Sequence, residues 1–409
     1  MDTARVPPRI LAMWALAAST FLYAFLQRVS PSVMVEDLMR GFGVGGTMLG
    51  SLSAFYLYAY AALQIPLGAM FDRFGVRRLM VASLLVSGAG SLLFAAAPSV
   101  EIAYFGRLLI GGGAACSFVG ALTVTALWLP PARFALFAGL VQLLGMAGAI
   151  FGQAPLAALV AVTGWRGALT ALGLLAAGLA LALALLLRDK ARPADGTMPI
   201  GAALRDALVR RETWTCSVFG FAMTGPMLAF GGLWAVPYLS TTYGLPRTEA
   251  AALTSLIFAG WGLGAPTIGW ISDRLRRRRA PMAICAAISG TLLAAILAGP
   301  VWPIPVLAAL MALEGFTAAA MVLGFAVVKD HSPAATSSLA MAVVNTFVVG
   351  SGALLQPLLG WMLDRGWSGA TLDGARVYDA AAYGAALAPL PPLFLLALLA
   401  CAATRERPR

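Results

Sequence analysis

The chain has 409 residues, 60% of them hydrophobic and only 11% charged, with a mean hydropathy of +0.86. A soluble domain carries roughly 25% charged residues, so this chain cannot cover itself for water, which excludes the soluble classes. Its net charge of +11 would suit nucleic acid, but the placement of the cations follows topology instead.

At about 20 apolar residues per crossing, the length holds a dozen helices with little to spare. In chain order the apolar runs predict spans over Leu11–Met34, Met48–Phe71, Leu79–Ala97, Ala103–Leu129, Phe134–Val160, Gly167–Leu187, Trp214–Tyr238, Ala250–Ile271, Pro281–Ala298, Pro303–Val328, Ala335–Leu363 and Ala380–Ala402. The first run follows Arg5 and Arg9 as a secretory signal would, yet it continues past Arg28 towards Pro31 and is too long for one. The polar stretch from Arg188 to about Thr213 reads as a cytoplasmic linker with a short amphipathic helix. It divides the chain into 1–187, 188–213 and 214–409. With a cytoplasmic N-terminus, 21 of the 28 Lys and Arg fall on cytoplasmic segments and 5 on outer loops, while Arg28 and Arg107 lie within spans. That is the positive-inside pattern, and it puts both termini in the cytoplasm. Cys116, Cys216, Cys285 and Cys401 lie far apart and His331 is the sole histidine, so neither a disulfide, a metal site nor a cofactor is expected.

Two stretches repeat. Gly68-Ala-Met-Phe-Asp72-Arg73-Phe-Gly75-Val-Arg77-Arg78 returns 201 residues later as Gly269-Trp-Ile-Ser-Asp273-Arg274-Leu-Arg276-Arg277-Arg278-Arg279. Pro66 and Pro266 precede the motif glycines, and Pro155 and Pro357, each following a glutamine (Gln153, Gln356), are 202 apart. Glycine clusters come before both prolines: Gly145, Gly148 and Gly152, then Gly350 and Gly352. Small residues let helices approach closely, and proline supplies a bend. The expected fold is an all-α membrane protein of twelve transmembrane helices in two pseudo-symmetric six-helix bundles, the architecture of a secondary transporter.

These motifs resemble the major facilitator superfamily over almost the whole chain. The first loop motif fits that family's cytoplasmic signature between the second and third spans. The second copy keeps Gly269, Asp273 and Arg274 but has Arg276 in place of the second glycine. Arg107 with Gly111, Gly112 and Gly113 is similar to the family's fourth-span motif. The resemblance implies that Gly68, Asp72, Arg73, Gly75 and Arg77, with Gly269, Asp273 and Arg274, latch the halves in an outward-open state. Independently, Ser332-Pro333 predicts a helix start for the eleventh span, and a carboxylate such as Asp72 beside it gains about 0.3–1 kcal/mol. By pseudo-symmetry Asp273 is expected near Pro130-Pro131. The plainer alternative is that Asp-Arg pairs only cap helices and anchor topology.

An ionisable group at a helix centre costs about 2.5–3.5 kcal/mol, so each one needs a reason. The candidates are Arg28, Arg107 and Glu314. A guanidinium grips a carboxylate through two parallel hydrogen bonds. The region of Arg28 resembles the anion:cation symporter branch, where a first-span arginine contacts carboxylate substrates and a preceding aspartate takes part in proton coupling. Gln27 stands at that position here. Alternatively Arg28 pairs with Glu36 or Asp37. Arg107 serves either substrate contact or hydrogen bonding to neighbouring carbonyls. Glu314, the one acid well inside a span, is the candidate proton carrier, its alternative being a packing residue. Tyr23, Tyr56, Tyr60, Gln64, Asn345 and Gln356 are candidate cavity residues, with Trp234, Tyr238 and Trp261 as aromatic walls.

The functional expectation is a secondary transporter moving a small organic solute, a carboxylate-bearing anion, by alternating access with proton symport. Uniport, transport of peptides or amino-acid-like solutes (a resemblance to the lysosomal dipeptide transporter branch), drug efflux and a transporter-like receptor are the alternatives. No nucleophile–base pair, carboxylate dyad or GxxxxGK[ST] supports an enzyme or an ATP-driven pump. The expected partners are the solute, a co-transported proton and the lipid bilayer, without nucleic acid, for a monomer in a bacterial inner membrane.

Overall fold

A computed structural model of the chain describes residues 6–64, 66–130, 133–189, 200–333 and 336–406. Among the described residues, nine helical stretches, from Pro8–Val33 to Ser337–Arg365, are long and apolar enough to cross a membrane. The one sheet among the described residues is a hairpin of β1 (Thr371–Leu372) and β2 (Ala375–Arg376).

Helix α1 (Pro8–Val29) starts on a proline, whose missing N–H costs nothing in a first turn. A tight turn at Ser30–Val33 leads to α2 (Val35–Phe42), stopped by Gly43 in the left-handed region. The expected second span is broken: α3 (Gly46–Leu63) ends before Pro66, and α4 (Leu67–Phe74) begins after it. Proline cannot donate to the helix ladder and pushes the residue before it out of helical geometry. Next come α5 (Val76–Ala96), α6 (Val100–Ala114), α7 (Cys116–Trp128), α8 (Phe134–Phe151) and α9 (Ala154–Leu186). The chain breaks at Gln153, just ahead of Pro155, and kinks again inside α9 at Gly164, φ 68°.

After the linker helix α10 (Ile200–Val209), α11 (Arg211–Pro226) opens into a wide π-helical stretch, Met227–Trp234, before α12 (Ala235–Tyr243). There follow α13 (Arg247–Leu275), α14 (Arg279–Ala298), α15 (Ile304–Ala318), α16 (Val322–His331) and α17 (Ser337–Arg365). Ser332 does not start the eleventh span as expected. It closes α16 in extended geometry, as a residue before proline does, and the Pro333 carbonyl accepts the Thr336 and Ser337 amides ahead of α17. The last expected span is two helices, α18 (Ala380–Leu387) and α19 (Leu393–Ala403), parted by Pro389, Pro391 and Pro392.

The crossings alternate, giving an arginine-rich face, with Arg77, Arg78 and Arg274–Arg279, and a far face, with Glu36, Asp37, Arg247 and the hairpin. Glycines bring the backbones together. In the first half of the chain α6 lies on α3, where Gly111 leaves no room for a Cβ against the Tyr56 backbone; in the second, Gly315 of α15 lies as closely on Ile257 of α13. The second contact repeats the first 201 residues later on one helix and 204 on the other. Likewise α5 packs against α6 and α9, as α14 packs against α15 and α19. The loops themselves differ: Gly75 has φ 78° and ψ 162°, whereas Arg276 in its place has φ 51° and ψ 27°, the left-handed region, at a cost of roughly 1–2 kcal/mol for a side chain there. Between the halves, α3 runs along α17 and α8 along α13.

The linker helix is fastened to the arginine-rich face. Asp206 binds Arg210 at 2.7 Å and accepts from the Thr336 hydroxyl, while Arg210 donates to the His331 carbonyl at 3.2 Å. Arg210 first, then Thr336, holds the Asp206 carboxyl below its ordinary value.

Gly148 tests the packing account. A Cβ there would strike the Leu22 carbonyl of α1, whereas one at Gly139 on the same helix meets nothing within 4 Å. Gly148→Ala should cost about 1–3 kcal/mol through overpacking, seen as a lower melting temperature in detergent, with Gly139→Ala unchanged. Equal melting of the two variants would contradict it.

Candidate functional site

The last turn of α1 carries Gln27 and Arg28 side by side, and successive residues on a helix point about 100° apart. Gln27 turns into the N-terminal half, donating to the Tyr23 hydroxyl at 2.7 Å and to Ser91 at 3.1 Å. It does not share the surroundings of the Arg28 guanidinium. Arg28, only 8% exposed, lies among aromatic rings, 4.3 Å from the Phe25 centroid, 4.7 Å from Tyr60 and 5.7 Å from Tyr56. The expected alternative partners of Arg28 are engaged elsewhere: Asp37 and Glu36 pair with Arg247, at the start of α13.

Among the described residues, the Nε and Nη2 atoms of Arg28 are buried without a hydrogen-bond partner. These two nitrogens form one edge of the guanidinium, the edge that receives both oxygens of a carboxylate side-on. Ring faces contribute about 0.5–2 kcal/mol to a cation, whereas removing an ion from water costs several. Tyr56 and Tyr60 also engage the guanidinium through their hydroxyls, which leaves the Nε–Nη2 edge as the part without a partner among the described residues. The arrangement can hold a planar oxyanion in the plane of the guanidinium.

Arg107 engages the backbone of two neighbouring helices. Its Nη1 donates to the Gln27 carbonyl at 2.8 Å and its Nη2 lies 3.5 Å from the Ser53 carbonyl, tying α6 to α1 and α3. Tyr56 stands between the arginines: its ring lies 5.0 Å from Arg107 and its hydroxyl donates to the Ala24 carbonyl. Tyr60 stacks beside Tyr56, the centroids 6.2 Å apart. The structure thus gathers Arg28, Tyr56, Tyr60 and Arg107, with the backbone rather than the side chain of Gln27.

The remaining candidates lie on other helices. Glu314 of α15 is 2% exposed, and its Oε1 has no partner. Asn345 donates to Gln64 Oε1 at 3.1 Å, joining α17 to the end of α3. Gln356 donates to the Leu228 carbonyl and its backbone carbonyl accepts from the Trp234 indole, so it holds the π-helical stretch of the seventh span. The reading of the sequence left Gln153 out of the site, yet it reaches the same stretch from the other half, 3.3 Å from the Gly231 carbonyl. Its signal was present, a glutamine ahead of a proline at nearly the spacing of Gln356. Phe25 was missed because an apolar ring in an apolar run carries no signal. Tyr238 donates to the Ile296 carbonyl, and Trp261 is buried.

Of the loop motifs, the side chains of Gly68 and Asp72 lie outside the described residues, as does Pro131. Asp189 accepts from the Arg77 amide at 2.9 Å beside Gly75, capping α5, and the Arg77 side chain reaches the Ala184 carbonyl. Arg73 is exposed, its guanidinium over Phe74. In the second copy Asp273 binds Arg278 at 2.7 Å, with Asp330 3.8 Å from the same guanidinium. Arg274 lies over Trp270, and Gly269 faces open space.

Comparison with known proteins gives the family. The model of the Major Facilitator Superfamily matches residues 16–234 and 215–409. The chain is 24% identical over 290 residues to the "Probable sulfoacetate transporter SauU" of Cupriavidus necator, covering 67% of each chain. It is 27% identical over 349 residues to the gentisate transporter of Corynebacterium glutamicum, covering 82% of this chain and 73% of that one. The structure of a bacterial homologue of the human lysosomal transporter Spinster, inward-facing and unoccupied, superposes with a TM-score of 0.79 at 16% identity, over 98% of this chain and 99% of the other. With its repeated helix pairing, its loop motifs and both halves matched by the family model, the chain is a multi-pass membrane protein that belongs to the major facilitator superfamily.

Proposed function

We propose that the chain carries a small carboxylate-bearing organic anion across the bacterial inner membrane by alternating access. Its twelve spans form two six-helix bundles, 1–187 and 214–409, joined by the linker 188–213, with the termini and the arginine-rich face in the cytoplasm. The observation that carries this reading is the unanswered Nε–Nη2 edge of buried Arg28. Sulfoacetate and gentisate, named as the cargo of two relatives, each bear a carboxylate. The seam of α3 and α17 runs to the far face, which supports an arrangement closed outside and accessible from the cytoplasm.

Proton symport is the energy source of this account, with Glu314 as the carrier, since its carboxyl is buried with one oxygen unpartnered. Gln27 cannot take the part of the aspartate in the symporter branch, because an amide does not titrate. The same fact favours the second reading, facilitated uniport. The loop motifs latch the cytoplasmic side when the far face opens, and the unit is a monomer.

Two outcomes test the proposal. Arg28→Lys keeps the charge but loses the fork, worth about 1.5–3 kcal/mol for a charge-assisted bond. Carboxylate uptake into proteoliposomes should fall roughly 10- to 100-fold, and uptake unchanged in the variant would sink the carboxylate site. Glu314→Gln should still be stabilised by the acid in a thermal-shift measurement, yet lose the stimulation of uptake by an inward proton gradient. A variant as gradient-dependent as the parent would remove Glu314 from the coupling.

A further inference from the structure

The loop motif occurs a third time, on the other side of the membrane. Gly360-Trp-Met-Leu-Asp364-Arg365 ends α17 in the same Gly-x-x-x-Asp-Arg order as Gly68–Arg73 and Gly269–Arg274, but it lies at the far face. Its carboxylate is fully engaged with the opposite half of the chain and with the far-face loop. Asp364 Oδ1 accepts from the Gly46 amide at 2.9 Å, the Tyr378 hydroxyl at 2.6 Å and Arg376 Nη1 at 3.0 Å. Asp364 Oδ2 accepts from the Thr47 amide at 2.8 Å and from the Thr47 hydroxyl. Gly46 and Thr47 open α3, so an acid from the second half satisfies free amides at the positive end of a helix from the first.

The motif glycine is what makes the reach possible. A Cβ on Gly360 would strike the Gly46 backbone, and one on Gly45 would strike the Asp364 carboxylate itself. Further along, Gly50 lies against the Gln356 and Pro357 backbone, and the Tyr58 hydroxyl donates to the Ala353 carbonyl at 2.9 Å. A related contact stands at the start of α13, where Arg247 receives Asp37 and Glu36 from the first half. Both helices that begin at the far face along the seams, α3 and α13, therefore meet an acid from the other half.

We infer that Asp364 is the far-face lock of the transport cycle: the carboxylate of a third Gly-x-x-x-Asp-Arg motif that clasps the first turn of α3 and is released each time this face opens. The loop residue Tyr378 completes the clasp, since its hydroxyl also accepts from the Gly46 amide at 2.8 Å. The lock concerns the motion of the halves, so it stands whichever solute is carried.

Spin labels at Ile102→Cys and Val301→Cys test it in the whole protein reconstituted in lipid without substrate. Both sites are exposed on loop-proximal ends of opposite halves, and the four native cysteines are buried. Asp364→Asn should shift the pair towards a longer distance, and Tyr378→Phe, which removes one hydroxyl and leaves the fold alone, should raise the same long-distance population less. Distance distributions identical to the parent in both variants would overturn the lock. So would a Tyr378→Phe protein that keeps the parent distribution while Asp364→Asn alone loses its melting transition, because the acid would then serve folding only. Arg28→Lys should leave the distances unchanged, which separates a failure of the lock from a failure of the carboxylate site.

Discussion

A charge drawn wholly or partly out of water must be answered, and the answers its charged groups find organise this molecule. Arg107 is answered by carbonyls of α1 and α3, Arg247 by Asp37 and Glu36, and Asp364 by the amides that open α3. Each of these answers fastens one helix to another. Arg28 differs, because rings cover its faces while its Nε–Nη2 edge has no partner among the described residues. Leaving that edge open costs kilocalories. On the function proposed above, an arriving oxyanion recovers that cost on binding.

The second organising element is duplication expressed in backbone contacts. Lipid tails are as apolar as leucine, so hydrophobicity alone gives helices no reason to associate, and small residues that permit close approach must supply one. Gly111 on Tyr56 and Gly315 on Ile257 are the same contact made twice. Where the halves meet, the repeat is put to a different use. Gln153 and Gln356, each ahead of a proline, converge on the π-helical stretch of the seventh span from the two sides. A wide helical turn frees carbonyls that an ordinary helix would satisfy, and two amides take them up. The seventh span is thereby held by both halves at once.

Most of the fold was legible, because composition, span length and the repeated Asp-Arg motif are all written in residue identity. Where the expectation missed, proline was the usual reason: the breaks before Pro66, around Pro389–Pro392 and after Ser332 follow from local backbone rules that hydropathy averages away. The site was legible in part. Arg28, Arg107 and Glu314 stand out as charges in apolar runs, whereas the two backbone carbonyls that Arg107 meets lie 80 and 54 residues away and could not be read. The partner of Asp37 and Glu36 could not be read, since Arg247 lies some 210 residues away and only folding brings it there. Asp364 is the instructive omission: its Gly-x-x-x-Asp-Arg order is plain in the sequence, but the Thr47 amide it meets lies 317 residues away and only folding brings it there.

The central claim is that the open edge of Arg28 receives the carboxylate of the transported solute. The most direct measurement is a structure of the protein determined with a transported organic acid bound. The account predicts both carboxylate oxygens at about 2.7–2.9 Å from Arg28 Nε and Nη2, with the Phe25 and Tyr60 rings still against the guanidinium. An acid bound in the central region with its carboxylate on other residues, and the Arg28 edge still unpaired, would contradict it.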